Sequence, residues 1–188
     1  MRAFLAIPIV PPARPAFDAL RGRLMDELPD VRWAPADSPH ITLHFFGSIS
    51  AEDAGRALDA VRPVCAAQKP FVLHLEGLGA FPNGNRPSVL WCGVNGDTEA
   101  LCRLAQDTVT ALRAAGFPTD ERPYHPHCTL GRPRQSWPAA CRSRWKELMA
   151  STTPVTPTFM ADHAILYDSL STSTGVRHLP RETLPFDA

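Results

Sequence analysis

The chain has 188 residues, of which 44% are hydrophobic and 20% charged, so it is long enough to bury one good-sized core or two small lobes. Nineteen Lys and Arg residues balance nineteen Asp and Glu residues. This zero net charge excludes the strongly basic surface of proteins that grip long duplex nucleic acid, so any nucleic-acid contact must be local. Five cysteines without Cys-x-x-Cys spacing favour reduced thiols. No apolar run approaches the roughly 18 residues that span a bilayer, and we expect a cytoplasmic protein.

The first half of the chain predicts the order strand, helix, strand, helix, strand. Short apolar or alternating runs at residues 3–7, 40–46 and 71–78 predict the three strands. Between them, apolar residues at helical spacing predict two helices, and Ser50 stands where it could cap the second. The two helical faces are Phe17, Leu20, Leu24 and Leu28, and then Ala54, Ala57, Leu58 and Val61.

The second half predicts the same order again. Strands are predicted at residues 89–92, around residues 124–130, and at residues 164–167. One helix is predicted to end at Gly116, and the other to begin after Ser136 as its cap. Their apolar faces are Leu101, Leu104, Ala105, Thr108 and Leu112, and then Trp137, Cys141, Trp145 and Leu148.

Matching strands of the two halves lie 86 or 87 positions apart, from Ala3 to Val89 and from His40 to His127. We interpret this spacing as an internal duplication that folds into two similar lobes. The chain is therefore expected to be one domain over residues 1–188, with repeat halves of roughly residues 1–86 and 87–170.

The tetrapeptide His-x-Thr-Leu occurs at the middle strand of each half, at residues 40–43 and 127–130. The composition predicts roughly 0.05 such matches by chance in a chain of this length. Because side chains alternate along a strand, the His and Thr of each motif should face away from the core. If the two motif strands are neighbours, two imidazoles and two hydroxyls share one groove, which predicts an acid–base site. The hydroxyls could donate to a phosphoryl oxygen.

Two alternatives use the same residues. The histidines could be polar residues of a solvated sheet face, with the threonines there for their β-propensity. Alternatively, His125 and His127 share a strand face and His40 could join them as zinc ligands, although no acidic or thiolate ligand is evident nearby.

The sequence around the second motif, RPYHPHCTLGR at residues 122–132, resembles the second signature of the 2H phosphoesterases, in particular the LigT-like RNA 2′,3′-cyclic phosphodiesterases, once called 2′-5′ RNA ligases. The sequence SPHITLHFFG at residues 38–47 is similar to their first signature. Weaker similarity at residues 2–8, 86–94, 166–167 and 175–180 extends over nearly the whole chain. Two positions depart from the family: Cys128 replaces a branched apolar residue, and His178 stands where Tyr is common.

The resemblance implies a bilobal α+β fold, in which each pseudo-symmetric lobe has an antiparallel sheet with helices packed outside and the active-site cleft lies between the sheets. It implies hydrolysis of the terminal 2′,3′-cyclic phosphate of RNA or a nucleotide to a 2′-phosphate, without a metal or another cofactor. Whether reverse 2′-5′ ligation accompanies hydrolysis is left open.

The resemblance also implies roles for the motif residues. His127 acts as general base on the attacking water and His40 protonates the departing 3′ oxygen, although near symmetry leaves this assignment open. Thr42, Thr129 and Arg132 hold the phosphoryl oxygens, Arg because its planar fork matches that geometry. We expect a local positive cleft around Arg132.

Four further residues are weaker candidates. Tyr124 and Phe81 stand where an aromatic ring could stack on a terminal base, or they belong to the core. Arg86 could meet a substrate phosphate or lie on the surface. His44 should share the face of His40, most simply as a solvated residue, and His178 is expected to be structural or exposed.

A second class of function, a module that binds a nucleotide or an RNA end without turnover, could use the same cleft. The intact pairs of His and Thr favour the enzyme, because binding alone does not need a matched acid and base. We expect RNA ends or nucleotides with a cyclic phosphate as partners, no membrane, no obligatory protein partner, and a monomer.

Overall fold

The computed structural model describes residues 1–135, 137–151, 153, 155–173 and 175–187 of the chain. Within these residues the chain forms four helices and nine strands. No helix in this part of the chain is both long and apolar enough to cross a membrane. In chain order the elements are β1 (Arg2–Pro8), α1 (Ala13–Glu27), β2 (Val31–Trp33), β3 (His40–Ser48), α2 (Ala51–Ala66), β4 (Phe71–Phe81), β5 (Val89–Gly96), α3 (Thr98–Ala114), β6 (His127–Pro133), α4 (Ala139–Ser151), β7 (Phe159–Ala161), β8 (His163–Thr172) and β9 (Gly175–Pro185).

The strands form one curled antiparallel sheet in the order β7-β4-β5-β6-β3-β1-β8-β9, and β2 also pairs with β6. Strand β6 has β5 along one edge; along its other edge it meets β3 at Cys128 and then β2 from Gly131 onward. Within the described residues, Ile41 opposite Cys128 is the pair that joins β3 to β6. The two lobes of the sheet meet at this seam, and the predicted α+β fold with antiparallel sheets is confirmed.

Each lobe takes strands from both halves of the chain. One lobe contains β7, β4, β5 and β6 with β2, and the other contains β3, β1, β8 and β9. Strand β4, from the first half, pairs with β5, while β8, from the second half, pairs with β1. The last strand of each predicted repeat is thus exchanged into the opposite lobe. The duplication itself stays a prediction.

Apolar side chains from the helices and from one face of the sheet form the main core. This core includes the apolar positions of the two motifs, which are Ile41, Leu43, Cys128 and Leu130. The histidines and threonines between them are only partly buried and belong to the opposite face of the sheet. The predicted alternation is therefore confirmed, and the helices leave the other face free for a site.

Two predicted helix boundaries agree with the structure, and one helix begins later than predicted. The Ser50 side chain accepts a hydrogen bond of 2.9 Å from the Asp53 amide, as an N-cap does. Gly116 has a φ of +84° just after α3, so it supplies the left-handed conformation that ends the helix. The predicted cap Ser136 lies outside the described residues. Helix α4 begins only at Ala139, so Trp137, predicted on its apolar face, precedes the helix. Pro138 disfavours the helical conformation at the residue before it.

The strand predictions need four corrections. The strand expected around residues 124–130 begins only at His127, because Pro123 and Pro126 carry no N–H for a ladder hydrogen bond. Strands β2 and β7, of three residues each, were not predicted from periodicity, because runs this short show none. Strand β9 was not among the predicted repeat strands, although its sequence contributed to the resemblance.

Candidate active site

The two motif strands are neighbours, as the acid–base interpretation requires. Ile41 and Cys128 form their antiparallel pair, and neither side chain has any exposed surface. On the opposite face, this register places His40 on the side of Thr129 and Thr42 on the side of His127. The structure thus brings both imidazoles and both hydroxyls to one seam.

Each motif histidine is held by the same local hydrogen bond. The Nδ1 atom of His40 lies 2.7 Å from the carbonyl oxygen of Ser38, and the Nδ1 of His127 lies 2.7 Å from that of His125. A carbonyl oxygen only accepts, so in both rings Nδ1 carries the proton and donates it. The Nε2 of each neutral ring is then left with a lone pair, ready to take a proton from water.

Burial lowers the pKa of both imidazoles. The pKa of His40 is lowered from 6.5 to about 4, and burial is the largest cause. The hydrogen bond to the Ser38 carbonyl raises this pKa, while the neighbouring His178 and His127 lower it further. Burial is also the largest cause of the lowered pKa of His127. The hydrogen bond to the His125 carbonyl raises this pKa, while the neighbouring His125 imidazole and Arg132 lower it. Both rings are therefore neutral at pH 7 in the free protein, and either can act as a base.

Aromatic rings enclose each motif histidine on its own side of the seam. Phe4 stacks on His40 with centroids 4.6 Å apart. Phe81 meets His127 edge-on at 5.0 Å, and Trp91 lies behind it at 6.3 Å. These rings contribute to the desolvation of the two imidazoles.

The hydroxyls of Thr42 and Thr129 are partly exposed, and neither makes a hydrogen bond to a residue that the structure describes. A threonine hydroxyl can donate one hydrogen bond. Both are thus free to donate to an anionic oxygen between the histidines, as the sequence analysis expected.

Tyr124 has a different contact from the one considered in the sequence analysis. Its hydroxyl donates a hydrogen bond of 3.0 Å to the carbonyl oxygen of Thr42, and its ring packs against the main core. It therefore ties the segment before β6 to the strand that carries His40. Base stacking by Tyr124 stays a prediction, and the half-buried ring of Phe81, directly beside His127, is better placed for it.

The prediction for His44 was wrong. This residue does not share the face of His40 and is not solvated. Its side chain is buried, because a bulge between Thr42 and His44 shifts the register against β1 and turns it inward. The Nε2 atom of His44 has no partner among the described residues.

His178 was predicted from the sequence to be structural or exposed, and it lies close to the candidate site. Its side chain is half-buried, and its ring meets that of His40 edge-on at 5.3 Å. It also meets Phe4 edge-on at 4.9 Å, so it completes the ring cluster around His40. The signal that could have found it was its alignment with a Tyr of the resembled family.

Arg86 and Arg132 are exposed and line the same cavity of about 1020 Å³. Arg132 belongs to β6, five residues beyond His127, and its charge is close enough to lower the pKa of that histidine. The zinc alternative gains no geometric support, because no three His, Cys, Asp or Glu side chains of the described residues converge on one point.

The fold and the paired motifs define a two-lobed protein with a candidate two-histidine site at the seam. The family model of the 2′-5′ RNA ligase superfamily matches residues 8–172. The chain belongs to this superfamily.

Curated relatives include the RNA 2′,3′-cyclic phosphodiesterase of Archaeoglobus fulgidus, 33% identical over 144 residues, which cover 73% of this chain and 76% of that protein. The protein of the same name from Geobacillus stearothermophilus is 34% identical over 129 residues, 69% of this chain. The relative of the same name from Aeropyrum pernix is 38% identical over 96 residues, half of this chain. The matched segments cover only 41% of the Geobacillus protein and 52% of the Aeropyrum protein.

Solved structures of similar fold include a Thermus thermophilus protein, with a TM-score of 0.79 at 21% identity. Another is E. coli LigT complexed with NADP+, with a TM-score of 0.72 at 25% identity. Both comparisons cover 100% of this chain and 98% of the other chain. The match over nearly two whole chains confirms the LigT-like fold.

Proposed function

We propose that this protein hydrolyses the terminal 2′,3′-cyclic phosphate of RNA or a nucleotide to a 2′-phosphate. The observation that carries the proposal is the pair of equivalent hydrogen bonds that hold His40 and His127, each from Nδ1 to the carbonyl two residues earlier. These bonds leave the Nε2 atom of each neutral ring unprotonated, on neighbouring strands, and a protein that only binds does not require such a pair. The curated relatives are named RNA 2′,3′-cyclic phosphodiesterases, which supports hydrolysis of the cyclic phosphate.

In the proposed reaction, the Nε2 of His127 takes a proton from water as the water oxygen bonds to phosphorus. The bond from phosphorus to the 3′ oxygen breaks, and protonated His40 gives its Nε2 proton to that oxygen. The five-membered cyclic phosphate is strained and its leaving oxygen lies in line with the water, so a positioned acid and base suffice. Thr42, Thr129 and Arg132 hold the phosphoryl oxygens as negative charge grows.

The acid must become protonated before it can act. Because both imidazoles are neutral in the free protein at pH 7, the anionic phosphate has to raise the pKa of one of them on binding. A negative charge within hydrogen-bonding distance does so by favouring the imidazolium. The assignment of His40 as acid and His127 as base follows the family resemblance, and the two environments are similar enough that the reverse assignment uses the same geometry.

The test is to incubate the protein with 2′,3′-cyclic nucleotide monophosphates in EDTA and to separate the 2′- and 3′-phosphates. We expect the 2′-phosphate, and loss of turnover in His40→Ala and His127→Ala. His163→Ala is the matched control, since His163 lies on β8 beside Asp162. A 3′-phosphate product, or substantial turnover by the double variant, would contradict the mechanism. Binding of cyclic nucleotide and RNA ends without any product would instead support the binding module.

Reverse ligation, a cytoplasmic location and a monomeric state stay predictions. The first is tested by incubating RNA fragments that end in a 2′,3′-cyclic phosphate with fragments that begin with a 5′-hydroxyl. Ligation would yield an RNA with a 2′-5′ linkage, because the 5′ oxygen bonds to phosphorus as the bond to the 3′ oxygen breaks. Sedimentation of the purified chain tests the monomeric state.

A further inference from the structure

A cavity beside the seam is lined by five arginines, which we call the arginine basin: Arg32, Arg86, Arg132, Arg134 and Arg142. The cavity measures about 1020 Å³, and its other lining residues include Asn85, Ser88 and Gln135. No Asp or Glu belongs to the lining that the structure describes. A concentration of positive charge this local contrasts with the zero net charge of the chain.

Four of these arginines have no side-chain partner among the described residues. The guanidinium groups of Arg32, Arg86, Arg132 and Arg134 make no hydrogen bond or ion pair with any residue in the described ranges. Elsewhere in those ranges eight arginines form ion pairs with carboxylates: Arg14, Arg56, Arg62, Arg103, Arg122, Arg144, Arg177 and Arg181. The basin thus differs from the rest of the described surface, where arginines commonly meet a carboxylate.

The pairing of β2 with β6 brings two of these arginines together, and their repulsion destabilises the sheet. Arg32 lies directly opposite Arg132 in the ladder, so their side chains emerge side by side on one face. Like charges at directly opposite positions destabilise a sheet. A bound anion would relieve this repulsion, and the planar forks of several arginines around one cavity suit phosphate oxygens.

The basin and the seam share strand β6. Strand β6 carries His127 and Thr129 at its beginning and Arg132 near its end. At roughly 3.3 Å per residue, five positions separate His127 from Arg132 by about 16 Å. A chain whose terminal phosphate lies at the seam therefore reaches the basin within a few nucleotides.

We propose that the arginine basin binds the phosphodiester backbone of the RNA strand that precedes the cyclic phosphate. The preferred substrate is then an oligoribonucleotide, and a cyclic mononucleotide occupies only the seam. This inference rests on the proposed function. Binding of several backbone phosphates releases counterions, so activity on an oligoribonucleotide depends steeply on salt while activity on a mononucleotide does not.

The test compares kcat/KM for an oligoribonucleotide that ends in a 2′,3′-cyclic phosphate with kcat/KM for the cyclic mononucleotide. In the Arg32→Gln/Arg134→Gln double variant, we expect the ratio of the two values to fall roughly tenfold at low salt. The slope of log(kcat/KM) against log[salt] for the oligoribonucleotide should become shallower by about 0.7 per lost contact. The matched control is Arg103→Gln, because Arg103 is exposed on α3 and lines a different cavity.

An unchanged ratio and an unchanged salt slope in the double variant would overturn the proposal. A wild-type protein that hydrolyses neither substrate would count against the proposed function alone. In that case fluorescence anisotropy with a 2′-phosphate-terminated oligoribonucleotide decides about the basin: weaker binding by the double variant supports it, and equal binding contradicts it. Arg32→Gln removes a like-charge pair, so the variant should fold at least as stably as the wild type.

Discussion

The imidazole of His40 lies against the ring of Phe4, with centroids 4.6 Å apart and planes inclined by 29°. Phe4 is itself buried and stacks on Tyr167 at 5.1 Å. The apolar ring removes water from one whole face of the imidazole. This contact contributes to the burial that lowers the pKa of His40 to about 4.

The first prediction concerns this contact. Phe4→Leu keeps the position apolar but replaces the flat ring with a smaller side chain, so water gains access to the imidazole of His40. The pKa of His40 should rise toward 6.5, because desolvation is the largest cause of its depression. Titration of the His40 ring protons by NMR measures the shift. A pKa that stays near 4 in the variant would show that other groups desolvate the ring.

The second prediction is the pH dependence of activity in the free protein. Because the pKa values of His40 and His127 both lie below 6.5, the form with one protonated and one neutral imidazole is most populated on the acid side of that value. We expect kcat/KM to rise as the pH is lowered from about 8 toward 6. Profiles recorded with a cyclic mononucleotide test this, and a kcat/KM maximum above pH 7 would contradict it.

The third prediction links these pKa values to stability. Histidines in the unfolded chain have a pKa near 6.5, while burial lowers the pKa of His40, His44, His127 and His178 in the folded protein. Between the two values the unfolded chain binds more protons. The free energy of unfolding should therefore fall as the pH drops from about 6.5 toward 4, and urea denaturation at several pH values measures it.

The fourth prediction isolates one member of that group. His44 is buried with an unpartnered Nε2 among the described residues, and it packs edge-on against Phe46 at 4.7 Å. His44→Leu removes the unsatisfied polar atom and places an apolar side chain in the same buried position. The variant should be more stable by about 1 kcal/mol, and its free energy of unfolding should depend less on pH. Cyclic nucleotide hydrolysis should be unchanged. A loss of stability at pH 7 would imply a hydrogen-bonding role for the ring.

The fifth prediction uses two glycines that differ in their surroundings. A Cβ atom on Gly79 would overlap Cη2 of Trp91, so Gly79→Ala must displace the indole that lies behind His127. We expect a loss of about 1–3 kcal/mol in stability and a lower kcat. Gly55→Ala is the control, because nothing lies within 4 Å of its Cβ position in α2 and alanine favours helix there. Thermal unfolding and steady-state kinetics of both variants check the contrast.

The seam could be predicted from sequence because it depends on two strong local patterns. Alternation along a strand separates His40 and Thr42 from Ile41, and the repetition of the motif made a shared site conditional on the two strands being neighbours. The pairing of Ile41 with Cys128 meets that condition. Regular periodicity is a property of consecutive residues, so a sequence shows it directly.

The remaining features depend on irregularity or on distant segments. A bulge turns the side chain of His44 to the buried face of the sheet, and the periodicity of the sequence does not predict where one extra residue is inserted. The exchange of β4 and β8 depends on pairing between segments of the two halves, which a local pattern does not specify. The five arginines of the basin come from β2, the β4–β5 connection, β6 with the residues after it, and α4, so only the fold unites them.

The exchange of strands between the lobes also bears on how the chain would behave if it were divided. A cut in the exposed connection between β4 and β5 would leave His40 on one fragment and His127 on the other. The first fragment would carry β4 without the β5 edge that it pairs with, and the second would carry β8 without β1. Each fragment would then have a strand edge whose backbone N–H and C=O groups lack their hydrogen-bond partners. The two fragments should therefore recover activity by complementation, at a rate that depends on the concentration of both.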